Sequence, residues 1–153
     1  MKVSELMTES PATLEASGNL AQAAEIFWTR RCGVVPIVDG RRLVGVLTDR
    51  DVAIALGTRN RRASEVRADE VMTKAPVTCG PDEEIDKALA LMHTRRVRRL
   101  LVTGRDGTVR GILSIGDLIR TSQPQAAPSH ASVLNVLKRF YEEETAELTT
   151  ARS

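Results

Sequence analysis

Gly45-Val46-Leu47-Thr48-Asp49-Arg50-Asp51 and Gly111-Ile112-Leu113-Ser114-Ile115-Gly116-Asp117 carry one pattern twice: a glycine, a strand-like apolar run, then a hydroxyl three places ahead of an aspartate. The likeness spreads well beyond these stretches. Glu5, Met7, Thr8, Pro11, Thr13, Ala23, Thr29, Arg30 and Arg31 recur 65 residues later as Glu70, Met72, Thr73, Pro76, Thr78, Ala88, Thr94, Arg95 and Arg96. The offset is 66 at Gly45 and Gly111. One residue has therefore been added in the turn around Gly104 to Thr108, where a loop tolerates extra length. The chain is a tandem repeat, with copy one within residues 1–57, a linker at 58–67 and copy two at 68–121. A spacer at 122–130 and a further helix at 131–148 follow.

A chain of 153 residues that is 42% hydrophobic buries roughly 70% of its unfolded surface, which suits one compact unit built from two halves. The formal charge is 22 basic minus 20 acidic residues, or +2, which argues against a dedicated nucleic-acid binder. The charge is unevenly spread: Arg95, Arg96, Arg98 and Arg99 cluster in copy two, while Glu142, Glu143, Glu144 and Glu147 load the tail. Cys32 and Cys79 show no Cys-x-x-Cys spacing, and the start of the chain has no secretory apolar region. A reduced, cytoplasmic protein is expected. No apolar run approaches the ~20 residues that cross a bilayer, so no membrane association is expected.

Each copy reads as a helical turn, a short strand, a helix, a two-strand hairpin and a second helix. Leu20, Ala23, Ala24 and Phe27 fall at helical spacing, as do Ile85, Ala88, Leu89 and Met92, giving each first helix one apolar stripe. Asn19 with Gln22 forms a capping-box pattern, whereas the aligned Glu84 is a weaker cap. Val34-Val35-Pro36-Ile37-Val38 ends at Asp39-Gly40, and Leu100-Leu101-Val102 ends at Gly104 with Asp106-Gly107; both turns lead into another apolar run, which predicts two hairpins. The near-continuous hydrophobicity of the strands predicts a three-stranded sheet covered on both faces, by its own helices and by the other copy. The stretch from Gly57 to Arg67 reads as a solvated linker. In the tail, Val133, Val136, Leu137, Phe140 and Tyr141 predict an amphipathic helix with Ser132 as its cap, whose stripe needs a partner surface.

Thr48-x-x-Asp51 and Ser114-x-x-Asp117 each close a strand and open a helix. Free backbone N–H groups and the helix dipole favour a phosphate there, a hydroxyl can donate to it, and an acid one turn on can accept from ribose hydroxyls. The same spacing equally describes a helix cap, in which the hydroxyl and the acid bond only to backbone. Both readings stand on the residues alone.

With the copies aligned, the chain resembles the cystathionine β-synthase (CBS) domain family, as a stand-alone tandem pair. The resemblance rests on Leu6-Met7-Thr8 with Pro11, Val71-Met72-Thr73 with Pro76, Val34 to Asp39, and the two Gly-to-Asp stretches, and covers about Val3 to Thr121. It implies an α+β fold of two β-α-β-β-α repeats packed sheet to sheet about a pseudo-twofold axis, with two clefts between them. One cleft would combine Val46, Thr48 and Asp51 with Ala75 to Val77, and Arg98 would reach toward it. The other would combine Arg99, Ile112, Ser114 and Asp117 with Ser10 to Ala12. The apolar Val46, Val77, Ala12 and Ile112 would sandwich an adenine, and the aspartates would hold ribose. Copy one offers only Gly33 and Val34 where copy two has Arg98 and Arg99, so its cleft depends on Arg98 or Arg50 for positive charge. In copy two Leu101 replaces the family proline and Thr103-Gly104 the acid turn, neither at a proposed contact.

The resemblance implies a regulatory module that binds AMP, ADP or ATP, or alternatively S-adenosylmethionine or NADH, forms a homodimer and signals to an unknown protein partner, with the C-terminal helix as one docking element. No nucleophile with an adjacent base and no metal triad is visible, so no enzymatic activity is expected. A ligand-free scaffold is the alternative, and nucleic-acid binding through the arginine-rich face is less favoured by the near-neutral charge. His93 and His130 read as surface residues, Cys32 and Cys79 as packing, and Trp28 as a packing or dimer-contact residue.

Overall fold

The computed structural model describes the backbone of residues 1–150 and the side chains of residues 1–142. The predicted tail acids Glu143, Glu144 and Glu147 lie outside the described side chains. Copy one contributes strands β1 (Thr8–Glu9), β2 (Leu14–Glu15), β3 (Val34–Asp39) and β4 (Arg42–Thr48), with helices α1 (Leu20–Arg30) and α2 (Asp49–Arg59). Copy two opens with the short helix α3 (Ala68–Val71). It continues with β5 (Thr73–Lys74), β6 (Thr78–Cys79), α4 (Ile85–Arg95), β7 (Arg99–Thr103), β8 (Val109–Ser114) and α5 (Ile115–Thr121). The tail helix α6 spans His130–Thr150.

The fold is α+β, as the sequence predicts, but each sheet has four strands instead of three. The orders are β2-β3-β4-β5 and β1-β8-β7-β6, so the first strand of each copy lies in the sheet of the other. Thr8 pairs with Ile112 and Glu9 with Gly111, while Thr73 pairs with Val46 and Lys74 with Gly45. The residues just before these strands cross over as well. Val3 is fully buried in the core of copy two, and its N–H donates to the Glu83 carbonyl at 2.9 Å. Val66 and Ala68 are fully buried in the core of copy one, and Ala68 donates to the Gly18 carbonyl at 2.7 Å. The predicted solvated linker is thus partly structured: Thr58 and Arg59 finish α2, and Val66 is a core residue.

The exchanged strands explain the duplicated glycines. A methyl group on Gly111 would stand 2.6 Å from Met7 Sδ and 2.9 Å from the Thr8 carbonyl oxygen. At Gly45 it would meet Met72 Cγ at 2.9 Å and the Thr73 carbonyl at 3.0 Å. Each glycine therefore clears a path for the methionine and backbone of the other copy. Within β3, Val35 and Ile37 join the core beneath the helices, and the alternating Val34 and Val38 are buried on the opposite face. Both faces are covered, as the strand composition predicts. The hairpin turns use left-handed glycines, Gly40 at φ 63° and Gly107 at φ 78°. The hairpin tips also touch one another, since Leu43 N–H donates to the Gly107 carbonyl at 3.0 Å.

Asn19 and Gln22 form the predicted capping box, with reciprocal bonds of 3.0 Å, and Glu84 makes no side-chain cap. The tail helix is capped by Ser129 rather than Ser132: the Ser132 N–H donates to Ser129 Oγ at 3.1 Å. Its apolar stripe finds a surface within the chain itself. Val133 and Val136 are 3% exposed and, with Leu137 and Phe140, join the core of copy two beside α4 and α5. The two first helices diverge accordingly. In α4 the whole predicted stripe is buried, whereas in α1 Leu20 and Ala23 are buried, Phe27 is half-buried and Ala24 is exposed. Trp28 is 85% exposed, so it is not an internal packing residue.

Alanine at Gly45 or Gly111 must displace backbone of the exchanged strand. Each substitution is expected to destabilise the protein by about 1–3 kcal/mol, as overpacked sites do. Gly57 in α2 has nothing within 4 Å of its added methyl, so Gly57→Ala is expected to stabilise by up to about 1 kcal/mol. Urea denaturation of the three variants checks both signs; equal stability of all three would remove the role assigned to the exchanged strands.

Candidate functional sites between the copies

Each strand exchange brings the duplicated motif of one copy against the first segment of the other. A cavity of about 470 Å³ is lined by Ser10, Pro11, Ala12, Arg99, Ile112, Ser114 and Asp117, all seven residues expected in the Ser114 cleft. A second cavity of about 290 Å³ is lined by Val46, Thr48, Ala75, Pro76, Val77 and Arg98, six of the seven expected in the Thr48 cleft. Asp51 is the exception. It borders a separate small hollow with Ile54, Ala55 and Glu70, and Arg50 lines neither cleft.

The cleft segments share an unusual backbone. Ser10 and Ala75, which align across the repeat, both sit in the left-handed region, at φ 47° and 50°. An L-residue there is strained by about 1 kcal/mol, and such strain concentrates at ligand sites. Ser10 is held in place by its N–H bond to the Arg110 carbonyl at 3.1 Å.

The hydroxyl–acid pairs do form capping boxes. Thr48 N–H donates to Asp51 Oδ2 at 2.8 Å, and Asp51 N–H donates back to Thr48 Oγ1 at 3.1 Å. The copy-two box is tighter: Asp117 Oδ2 accepts from both Ser114 N–H at 2.8 Å and Ser114 Oγ at 2.6 Å. The Ser114 proton is thereby committed to Asp117, and toward the cleft this hydroxyl presents a lone pair. It suits a donor such as a ribose hydroxyl better than a phosphate oxygen. Asp117 Oδ1 is paired with Arg120, whose side chain is 72% exposed while that of Asp117 is 10% exposed. In copy one the residue three places after the acid is Ile54, so Asp51 has no such neighbour.

Positive charge divides unequally between the clefts. In strand register Arg99 stands opposite Ser114, whereas Val34 stands opposite Thr48. The structure adds Arg30 and Arg31 to the Ser114 cleft, delivered by the end of α1. Sequence reasoning named these only as members of the repeat and missed them as cleft residues; their signal was the duplicated Thr-Arg-Arg, whose distance from the motif hides the contact. Arg98 and Arg99 both border the Thr48 cleft, so Arg99 lines both cavities, and the Arg98 guanidinium lies over the rings of Phe140 and Tyr141 on α6, 5.1 and 5.8 Å from their centres. That contact is a cation–π interaction. Cys79 is buried away from both clefts, and burial pushes its thiol up to about 12, which leaves it unreactive. Cys32 lines the Ser114 cleft. Among the described residues no group of three His, Cys, Asp or Glu side chains could hold a metal, and no helix is long and apolar enough to cross a membrane.

Residues 3–58 and 68–124 each match the CBS domain. The chain belongs to the CBS domain family. The CBS domain-containing protein YhcV of Bacillus subtilis is 32% identical over 116 residues, covering 76% of this chain and 81% of that one. The CBS domain pair of protein MJ0100, solved in complex with 5′-methylthioadenosine and S-adenosyl-L-methionine, superposes with a TM-score of 0.71 at 26% identity, covering 78% and 94% of the two chains. A CBS domain protein of Pyrobaculum aerophilum, solved with AMP, has a TM-score of 0.71 at 21% identity over 90% and 99%, a likeness of fold.

Because both boxes cap helices, Thr48→Ala and Ser114→Ala are each expected to lower the stability of ligand-free protein by about 1 kcal/mol. At 2–4 °C per kcal/mol, a thermal melt should fall by about 2–4 °C. An unchanged melt would show that the boxes contribute nothing to the helix ends.

Proposed function

We propose that this CBS pair is a non-catalytic sensor that binds an adenine nucleotide or related adenosyl ligand in the clefts between its copies. One observation carries the reading: each cleft joins the motif hydroxyl of one copy to the strained first segment of the other, lined by apolar side chains that fit a base. Val46 and Val77 flank one cleft, Ala12 and Ile112 the other. The AMP, methylthioadenosine and S-adenosylmethionine bound by the structural relatives support the same ligand class. Asp117 supplies the ribose acceptor in the Ser114 cleft. The position of Asp51 outside the Thr48 cavity favours the Ser114 cleft as the principal site. A ligand that touches both copies stabilises whichever arrangement closes the cleft, and this is how occupancy becomes a signal.

Homodimerisation belongs to the same reading. On copy two α6 covers the outer face of the helices, whereas on copy one Ala24, Phe27, Trp28 and Ala53 surround an open hollow. That face is where a second copy would pack. Sedimentation should give a dimer whose dissociation constant rises at least tenfold in Trp28→Glu; a monomeric wild type would remove this part.

Ligand at 100 times its dissociation constant adds about 2.7 kcal/mol, or roughly 5–11 °C of melting temperature for a chain of this size. AMP, ATP, S-adenosylmethionine and NADH are the ligands for that panel. Asp117→Asn keeps an acceptor for the helix cap but loses the charge, and calorimetry should show binding weakened by about 10-fold or more. No shift and no heat with any of the four ligands would leave the empty scaffold as the surviving reading.

A further inference from the structure

Arg61-Arg62-Ala63-Ser64 lies in the segment that joins the copies and lines neither cleft. The chain holds five Arg-Arg pairs, at 30–31, 41–42, 61–62, 95–96 and 98–99, and only the one at 61–62 has a hydroxyl residue at the second place after it. Two arginines ahead of a serine at this spacing form the charge pattern that arginine-directed protein kinases read, with carboxylates of the peptide groove taking the guanidinium groups.

The structure presents the pattern to solvent. Ser64 is exposed, and among the described residues its hydroxyl has no hydrogen-bond partner, whereas the nearby Thr58 hydroxyl is spent on the Ile54 carbonyl. Arg62 is exposed and forms no ion pair among the described residues. The serine sits in a single 3-10 turn, Ala63–Glu65, with one backbone bond from Glu65 N–H to the Arg62 carbonyl at 2.9 Å. From Val66 onward the chain is pinned, since Val66 is fully buried and its carbonyl accepts from Leu20 N–H at 3.0 Å. Asn60 to Glu65 can therefore be drawn out by an enzyme while the core stays closed; only Ala63 among them is half-buried.

The same segment is tied to the strand exchange through Glu70. Its Oε2 accepts from Arg59, at the end of α2, at 3.3 Å and from Arg61 at 3.0 Å, while Oε1 accepts from Arg67 N–H at 3.1 Å. Glu70 belongs to α3, which leads through Met72 into β5, the strand that lies in the sheet of copy one. A phosphoserine carries about −1.5 to −2 charges at neutral pH, more than one carboxylate, and three places from Arg61 it competes with Glu70 for that guanidinium.

We infer that Ser64 is a phosphorylation site for an arginine-directed serine kinase, and that its phosphate acts by taking Arg61 from Glu70 and so loosening the start of copy two. In the transfer the Ser64 hydroxyl oxygen attacks the γ-phosphorus of ATP. The new O–P bond forms as the bond to the β–γ bridging oxygen breaks, ADP leaves, and the hydroxyl proton passes to the kinase's catalytic aspartate. The site is separate from the clefts and does not depend on what they bind.

Full-length protein is incubated with ATP and the catalytic subunit of cyclic AMP-dependent protein kinase, a probe that selects arginine two and three places ahead of serine. Peptide mass spectrometry should find one phosphoryl group, on Ser64, and none in Ser64→Ala. Arg62→Gln, which breaks no ion pair, should lower kcat/KM for the transfer at least about tenfold with an unchanged melt. A synthetic peptide of residues 58–67 calibrates access: the folded chain should react at no less than about a tenth of the peptide's rate, the cost of a small local opening. Failure to modify the folded protein, whether or not the peptide reacts, or transfer to another residue instead, overturns the site. On phosphorylation, hydrogen exchange from Glu70 to Lys74 should rise about two- to fivefold, the worth of one exposed ion pair. Glu70→Gln should show that rise unmodified and gain nothing further from the phosphate. Exchange left unchanged by phosphorylation, or raised equally in wild type and Glu70→Gln, overturns the coupling to the exchanged strand.

Discussion

The structure depends on two strands of two residues each, laid across the sheet of the opposite copy. Met7 and Thr8 can lie against β8 only because residue 111 has no side chain, and Met72 and Thr73 lie against β4 because residue 45 has none. Remove either close approach and Val3, Val66 and Ala68 lose their seats in the opposite cores. Neither copy is therefore an independent folding unit, because part of each core is supplied by the other. The clefts are a direct product of this arrangement. A motif that ends a sheet strand in one copy is faced by the turn leaving the exchanged strand of the other, so a ligand there necessarily bridges both.

Duplication sets the frame, and later divergence assigns different chemistry to each half. The clearest divergence is α6. Against it, Leu89 and Met92 of α4 are buried, while their counterparts Ala24 and Phe27 in α1 stay wholly or partly exposed. One outer face has become core and the other remains a surface. The same helix reaches the site level through Phe140 and Tyr141, which hold Arg98 at the rim of one cleft. The pairing register then does the rest: a single difference, arginine at 99 against valine at 34, puts a cation across from one hydroxyl and a methyl group across from the other.

What could be read in the sequence is what short-range physics determines. Hairpins, helix stripes and capping boxes depend on residues within four places of each other, and Asn19, Thr48 and Ser114 all cap as their spacing predicts. The strand exchange was not visible, because a two-residue strand carries no periodicity and its partner lies about one hundred residues away for β1. Most cleft residues were legible through the family resemblance, which supplies that long-range information. Arg30 and Arg31 were not, since they reach the cleft from a helix end in the other copy. Asp51 misled for a related reason: the repeat predicts equivalence with Asp117, but the surroundings of the two acids have diverged.

Helix capping and ligand contact make different demands on the same carboxylate, and the two oxygens of Asp117 can meet them separately. Oδ2 is fixed by the Ser114 backbone and hydroxyl, a set of bonds that holds the acid at the cleft wall. Oδ1 faces Arg120, a side chain mostly in water, and an ion pair with one exposed partner contributes only about 0–1 kcal/mol. On the proposed reading a ribose hydroxyl would replace that contact at small cost, and the guanidinium would return to solvent. The buried acid is thus rigid through one oxygen and exchangeable through the other. On that reading the helix cap is what positions the carboxylate for a ligand.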